Sequence, residues 1–198
     1  MKRLVSFITV ISLLAAFACT AIAYSESAVQ NEGTQIQILT SSQYVLQWKN
    51  DAARNMNYMV PTHWEPTSSG ERYSVYSEPT SDGVSGFRVA YVSKKKSSTN
   101  VDSTKMQNEF RALIKEMEAV YADFSWGGKI SREYSIVKFK GYSSEYTYTD
   151  DNGEPMKGFA IMAYYDRRIY LMNFSGPLAR YADMESIMFK MMESVTRA

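Results

Sequence analysis

The sequence predicts an α+β domain, a largely antiparallel β-sheet packed by two amphipathic helices. Three observations carry that expectation. Gly158 to Ser175 reads as two apolar strands joined by a tight turn at Asp166–Arg167. A helical stripe follows at once, with Tyr181, Met184, Ile187, Met188, Met191 and Val195 on one face, so the helix can lie back on the sheet it has just left. Earlier in the chain Met106, Phe110, Leu113, Met117, Val120 and Phe124 recur at steps of four and three, the apolar stripe of a second helix running to about Ala122. Strands joined by short turns pair antiparallel, and two such helices can cover the sheet they make.

In order, the chain opens with a leader. Residues 1–23 have a basic start at Lys2 and Arg3, an apolar middle and an Ala21-x-Ala23 end, the layout of a secretory signal peptide cleaved after Ala23. A retained membrane anchor is the alternative. Cys19 is the only cysteine, so cleavage leaves a mature chain with no thiol, disulfide or thiolate metal site. Cys19 could instead accept a lipid, although Ala16 stands where such signals usually carry a larger aliphatic residue. The full chain has 22 basic and 21 acidic side chains; without Lys2 and Arg3 the count is 20 against 21, or −1. A balance so near neutral argues against a dedicated nucleic-acid binder.

Residues 24–56 read as a flexible tether with short edge strands at Gln35–Leu39 and Tyr44–Trp48, and with Lys49 to Asn57 as a polar connection. Residues 57–198 form the α+β domain. Tyr58 to Val60 is a short strand that Pro61 stops, and Trp64 drops onto the domain edge. Glu65 to Glu71, with Pro66 and Gly70, reads as a loop. Arg72–Ser77 alternates, with Tyr73 and Val75 on one face. Gly86–Ser93 alternates more strongly through Phe87, Val89 and Tyr91, and a basic loop from Lys94 to Thr99 follows. After the first helix, Gly127-Gly128 ends the segment. Glu133–Phe139 and Gly141–Thr149 are further strands, the second with Tyr142, Tyr146 and Tyr148 on one face. Asn152-Gly153 marks the next hairpin, and Pro177 sits near the start of the last helix, where proline is tolerated.

Tyr58-Met-Val-Pro-Thr-His-Trp64, the Gly86–Ser93 strand, the midchain helix, and Tyr170-Leu-Met-Asn-Phe-Ser-Gly with a closing helix ending Met-Glu-Ser194-Val195 resemble the PsbP-like family. That family includes the extrinsic photosystem II protein and bacterial envelope relatives, some of them lipoproteins. The resemblance covers Asn57 to Val195. It implies an antiparallel sheet between helices, an α/β/α sandwich, and an accessory, scaffold-like role. It brings no general catalytic motif and implies no photosystem role.

Few residues carry chemistry. His63 is the only histidine, and could serve as a general base or, with Glu65 or Glu71, as a metal ligand; otherwise it is a loop side chain beside Trp64. Asp150-Asp-Asn-Gly-Glu154 is rich in oxygen but too short for a calcium loop, and reads as a turn. Lys94, Lys95 and Lys96 could touch an anionic lipid or cell-wall polymer, or simply guard a sheet edge. The row Tyr142, Tyr146 and Tyr148 is a partner or glycan surface if open, and core if a helix covers it. Met184, Met188 and Met191 fill core rather than bind copper. The sequence holds no Gly-x-Ser-x-Gly elbow, phosphate loop or dinucleotide fingerprint. The expected function is therefore that of a non-catalytic exported accessory or binding protein of the cell envelope, with no cofactor. Its partner would be an envelope or extracellular protein or polymer, held through His63, Trp64, Lys94, Lys95, Lys96, Tyr142, Tyr146 or Tyr148. The alternatives are a metal- or small-ligand-binding accessory protein using His63 and nearby carboxylates, and a hydrolase with His63 as base. Membrane contact would come only through the leader or a lipid on Cys19.

Overall fold

The computed structural model describes residues 36–38, 44–80, 86–95, 103–128, 135–136, 139–165 and 167–198. In chain order the strands are β1 (Ile36–Ile38), β2 (Val45–Asp51), β3 (Met56–Pro61), β4 (Glu65–Gly70), β5 (Tyr73–Ser77) and β6 (Arg88–Lys95). Helix α1 (Ser103–Val120) follows, then β7 (Ala122–Trp126), β8 (Ser135–Ile136), β9 (Phe139–Lys140), β10 (Tyr142–Thr149), β11 (Pro155–Tyr165), β12 (Arg168–Pro177) and helix α2 (Tyr181–Ser194). Seven strands form the main sheet in the order β4-β5-β6-β12-β11-β10-β7, and β1-β2-β3 form a smaller one. Every described pairing is antiparallel.

The hairpin β11–β12 sits in the middle, paired from Met156↔Pro177 to Tyr165↔Arg168. Both faces of these strands are covered, so their sequences are nearly continuous apolar runs. Phe159, Ile161, Tyr170, Met172 and Phe174 point to one face, joined by Phe87, Val89 and Tyr91 of β6 and its approach. That face is closed by two bodies together: α2, through Met184, Ile187, Met188 and Met191, and the small sheet, through Leu46, Met56, Tyr58 and Val60. On the opposite face Ala160, Met162, Ile169 and Leu171 meet α1 through Met106, Phe110, Leu113, Ile114 and Met117. The result is an α+β layered domain with a helix on each side of the main sheet. Gly158 is required by this packing. A Cβ there would lie 2.1 Å from the Tyr146 ring, which is laid flat across the strand.

Several expectations need correction. The first helix ends at Val120, and Phe124 belongs to β7, where the preceding Asp123 takes a left-handed backbone (φ 51°). Glu65 to Gly70 is not a loop but β4; as the edge strand it has one unpaired side, where Pro66 is tolerated, and a register shift falls between Pro66 and Ser68. Lys94 and Lys95 belong to β6 rather than a loop, held by pairing with β12. Lys49 to Asn57 is not a plain connection either: β2 runs to Asp51 and β3 begins at Met56. Part of the stretch read as tether is therefore packed, and Leu46 is in the core. Glu133–Phe139 is represented by the short pair β8–β9. Met192, off the helical stripe, is buried with the rest because α2 is wedged between the main sheet and β3. The leader with Cys19, and Lys96, lie outside the described residues.

Candidate functional site

The tyrosine row lies under α1. Tyr142, Tyr146 and Tyr148 are 5%, 2% and 7% exposed, so the core alternative holds and no open aromatic surface exists there. Tyr146 donates to Asn173 Oδ1 at 2.7 Å, and Tyr148 to Ser175 Oγ at 3.4 Å. Burial pushes both phenols up, Tyr146 well above the ordinary tyrosine range. They act as fixed hydrogen-bond donors, not as titrating groups.

His63 and Trp64 part company. Trp64 is buried and stacks 6.3 Å from Phe174 at 15°. His63 is exposed and leans on Tyr44, ring centroids 5.0 Å apart. Among the described residues no group of three or more His, Cys, Asp or Glu lies close enough to hold a metal ion. The acidic turn Asp150–Glu154 closes on itself: Asp150 Oδ1 accepts the N–H groups of Asn152 at 2.9 Å and Glu154 at 2.8 Å.

The lysines also diverge, because successive strand residues point to opposite faces. Lys94 lines a narrow slot under α1 with Val92, Glu109, Leu113, Glu116, Met162, Ile169 and Leu171. There burial pushes the Glu116 carboxyl up to about 7, against an opposing pull from Lys94 and a further push from Glu109. Lys95 instead joins Asn55, Arg167, Arg168 and Arg197 around an open basin.

Two polar clusters escaped the sequence reading. At the first, Asp51 ends β2 and is 8% exposed. Its carboxylate accepts both bonds from Arg54 Nη1, at 2.7 and 2.6 Å, with Tyr58 at 3.0 Å and Ser74 at 3.2 Å. Arg54 Nη2 goes on to the Gly70 carbonyl on β4. Asp51, Arg54 and Tyr58 belong to the small sheet and its turn, Ser74 and Gly70 to the main sheet, so the cluster fastens one to the other. Tyr91 adds a donor to the Met59 carbonyl at 2.8 Å and stacks on Tyr58 at 3.9 Å. The second cluster centres on Glu78, which accepts from Arg180 (2.8 Å), Tyr44 (3.1 Å) and the Phe87 N–H (3.3 Å). Burial alone would raise its carboxyl, but the bonds from Arg180, Phe87 and Tyr44 outweigh that and hold it below the usual carboxylate range. The first cluster left only Asp51 three residues before Arg54 as a sequence signal, a spacing common on any surface, and Glu78 and Arg180 stand 102 positions apart.

Ser194, part of the quoted closing motif, has a definite task. Its hydroxyl donates to the Met191 carbonyl at 2.6 Å and accepts the Met59 N–H at 2.8 Å, tying the end of α2 to β3. Asn57 and Thr196 then exchange two backbone bonds of 2.8 Å.

Neither a protein-family model nor a curated protein matches the sequence. The likeness is to solved structures. Cyanobacterial PsbP (CyanoP) of Synechocystis sp. PCC 6803 superposes with a TM-score of 0.56 at 13% identity, over 82% of this chain and 98% of that one. The fold is PsbP-like. LpqN of Mycobacterium tuberculosis, described as involved in cell envelope biogenesis, superposes with a TM-score of 0.52 at 11% identity, over 83% of this chain and 91% of that one. At such identities the likeness is one of fold, and it agrees with the PsbP-like α/β/α sandwich that the motifs from Tyr58 to Val195 imply. Among the described residues no helix is long and apolar enough to cross a membrane.

Proposed function

We propose that this chain is a non-catalytic accessory or binding protein that works in the cell envelope after export. One observation supports the reading above the others: the acids and phenols at three places in the fold, Asp51, Glu78 and Tyr146, are bonded to other side chains across element boundaries. Asp51 is occupied by Arg54, Tyr58 and Ser74, Glu78 by Arg180 and Tyr44, and Tyr146 by Asn173. Such groups join separate elements of the fold, and a catalytic acid or base must instead face a substrate. The leader-like residues 1–23 support export, and a PsbP-like fold shared with an envelope protein, LpqN, supports the compartment.

The test has two parts. Intact mass of the protein recovered from the envelope fraction should show a chain beginning at Tyr24, or a lipid-modified one beginning at Cys19. Crosslinking in living cells from a photoreactive residue at His63 should then trap a specific envelope component. A chain retaining residues 1–23 in the cytoplasmic fraction, with no specific adduct, would contradict the proposal.

A further inference from the structure

We infer that the basin lined by Asn55, Lys95, Arg167, Arg168 and Arg197 is a binding site for a phosphate-type oxyanion. This goes beyond the envelope reading and stands whether or not the chain is exported. The basin encloses about 700 Å³ of empty space, open solvent included. Its lining brings together four cations and one amide from separate parts of the chain. Lys95 comes from the end of β6, Arg167 and Arg168 from the turn and first residue of β12, and Arg197 from beyond α2. Asn55 stands in the turn before β3, where its Nδ2 donates to the Tyr170 hydroxyl at 3.2 Å. No carboxylate is among the described lining residues. Asp166, next to Arg167 in sequence, lies outside the described residues.

Two features of the backbone show that these cations are held together against local preference. Arg168 and Lys95 are direct cross-strand partners in the β6–β12 ladder. Like charges in that position destabilise a sheet. Arg167 takes a left-handed conformation, φ 59°, in the two-residue turn between β11 and β12. That position favours glycine or asparagine, not arginine. Both costs are offset if an anion sits in the basin. The side chains also fit one kind of anion best. Three of the four are arginines, whose planar forks make paired bonds to the oxygens of a phosphate group. Arg168 already has one N–H on Ser93 Oγ at 3.3 Å, which fixes its guanidinium beside the basin. A phosphate carrying two negative charges would then be shared among donors from β6, β12, the two turns that hold Asn55 and Arg167, and the C-terminal segment. The same chemistry is offered by inorganic phosphate and by an anionic lipid headgroup.

Calorimetric titration with inorganic phosphate at fixed ionic strength, and sedimentation with phosphatidylglycerol against phosphatidylcholine vesicles, separate the two sources. The variant is Lys95→Gln/Arg167→Asn, which leaves the Arg168–Ser93 bond in place and puts in the turn a residue that accepts its backbone. Without ligand it should melt no lower than the wild type, since a like-charge contact has been removed. Its affinity for whichever probe binds should fall about tenfold or more, the usual scale for lost charge-assisted bonds. Arg111→Gln/Lys115→Gln, the same change of charge on the exposed side of α1, should bind as the wild type does. Binding of phosphate identifies a soluble ligand, and binding of phosphatidylglycerol vesicles alone identifies a headgroup; either supports the inference. No binding of either probe by the wild type, or an equal loss in Arg111→Gln/Lys115→Gln, would overturn it.

Discussion

The two faces of the main sheet are buried equally well but closed by different means. The α1 face has a single cover, one helix whose stripe meets Ala160, Met162, Ile169 and Leu171. Its interior is partly polar, with Tyr146 bonded to Asn173 and Tyr148 to Ser175, and with Asn173 Nδ2 lacking a partner. The α2 face has an interior rich in Phe, Met and Ile that also holds Tyr58, Tyr91, Tyr170 and Tyr181, and its cover is composite: the C-terminal helix beside two strands from the other end of the chain. A composite cover has a seam. The polar groups of that side, Asp51–Arg54, Tyr91–Met59 and Ser194–Met59, are placed along it. A local cover needs only apolar periodicity, whereas one assembled from distant segments needs directional bonds to set its geometry.

Breaking the single cover should cost most. Phe110 is fully buried at the centre of the α1 face, and Phe110→Ala should lower stability by about 3–5 kcal/mol in urea denaturation. A loss under about 1 kcal/mol would mean that α1 lies loosely on the sheet. Tyr146→Phe keeps the ring over Gly158 but strands the Asn173 carbonyl oxygen, so a loss of about 1–3 kcal/mol is expected with the fold intact by circular dichroism. At the seam, Ser194→Ala leaves the Met59 N–H without its acceptor. It should cost about 1–2 kcal/mol and speed amide exchange at Met59 more than at Phe159. The smallest effect is one of pH. Glu116 has its carboxyl raised to about 7 from an ordinary 4.5, so the folded chain holds a proton there that the unfolded chain has lost. Stability should therefore fall as pH rises from about 4.5 to about 7, by on the order of 1 kcal/mol once solvent contact is allowed for. Glu116→Gln should flatten that part of the profile. Glu78 works the other way, its contribution disappearing as pH falls through its depressed value.

What could be read in the sequence follows the same division. The α1 stripe, the β11–β12 hairpin and the alternation of Phe87, Val89 and Tyr91 are local periodic signals, and each became the expected element with the expected buried face. The second cover was half legible. The α2 stripe was evident, but β2 was hidden in a polar-looking stretch because Leu46 is its only apolar residue buried in the core, and the cross-strand partner of Leu46, Pro61, is fifteen residues on. β4 was missed because an edge strand with one exposed side has no need of apolar alternation. The tyrosine row carried a binary ambiguity that only α1 could settle. Lys94 and Lys95 looked like one basic patch, yet strand geometry sends them to different faces. The basin that Lys95 joins could not be read at all, since Asn55 lies 40 positions before it and the three arginines 72 to 102 positions after it, and they meet only through the fold.

The buried charges of Asp51 and Arg54 fasten the seam between the two sheets. A mutant cycle at Asp51 and Arg54, followed by urea denaturation, tests it most directly. Asp51→Ala alone should cost about 3–5 kcal/mol, because Arg54 is left without its counter-charge. Asp51→Ala/Arg54→Met should recover part of that loss, since the uncompensated buried cation is gone while Tyr58 and Ser74 still lack their acceptor. A single variant as stable as the wild type, or a double variant no better than the single one, would contradict the account.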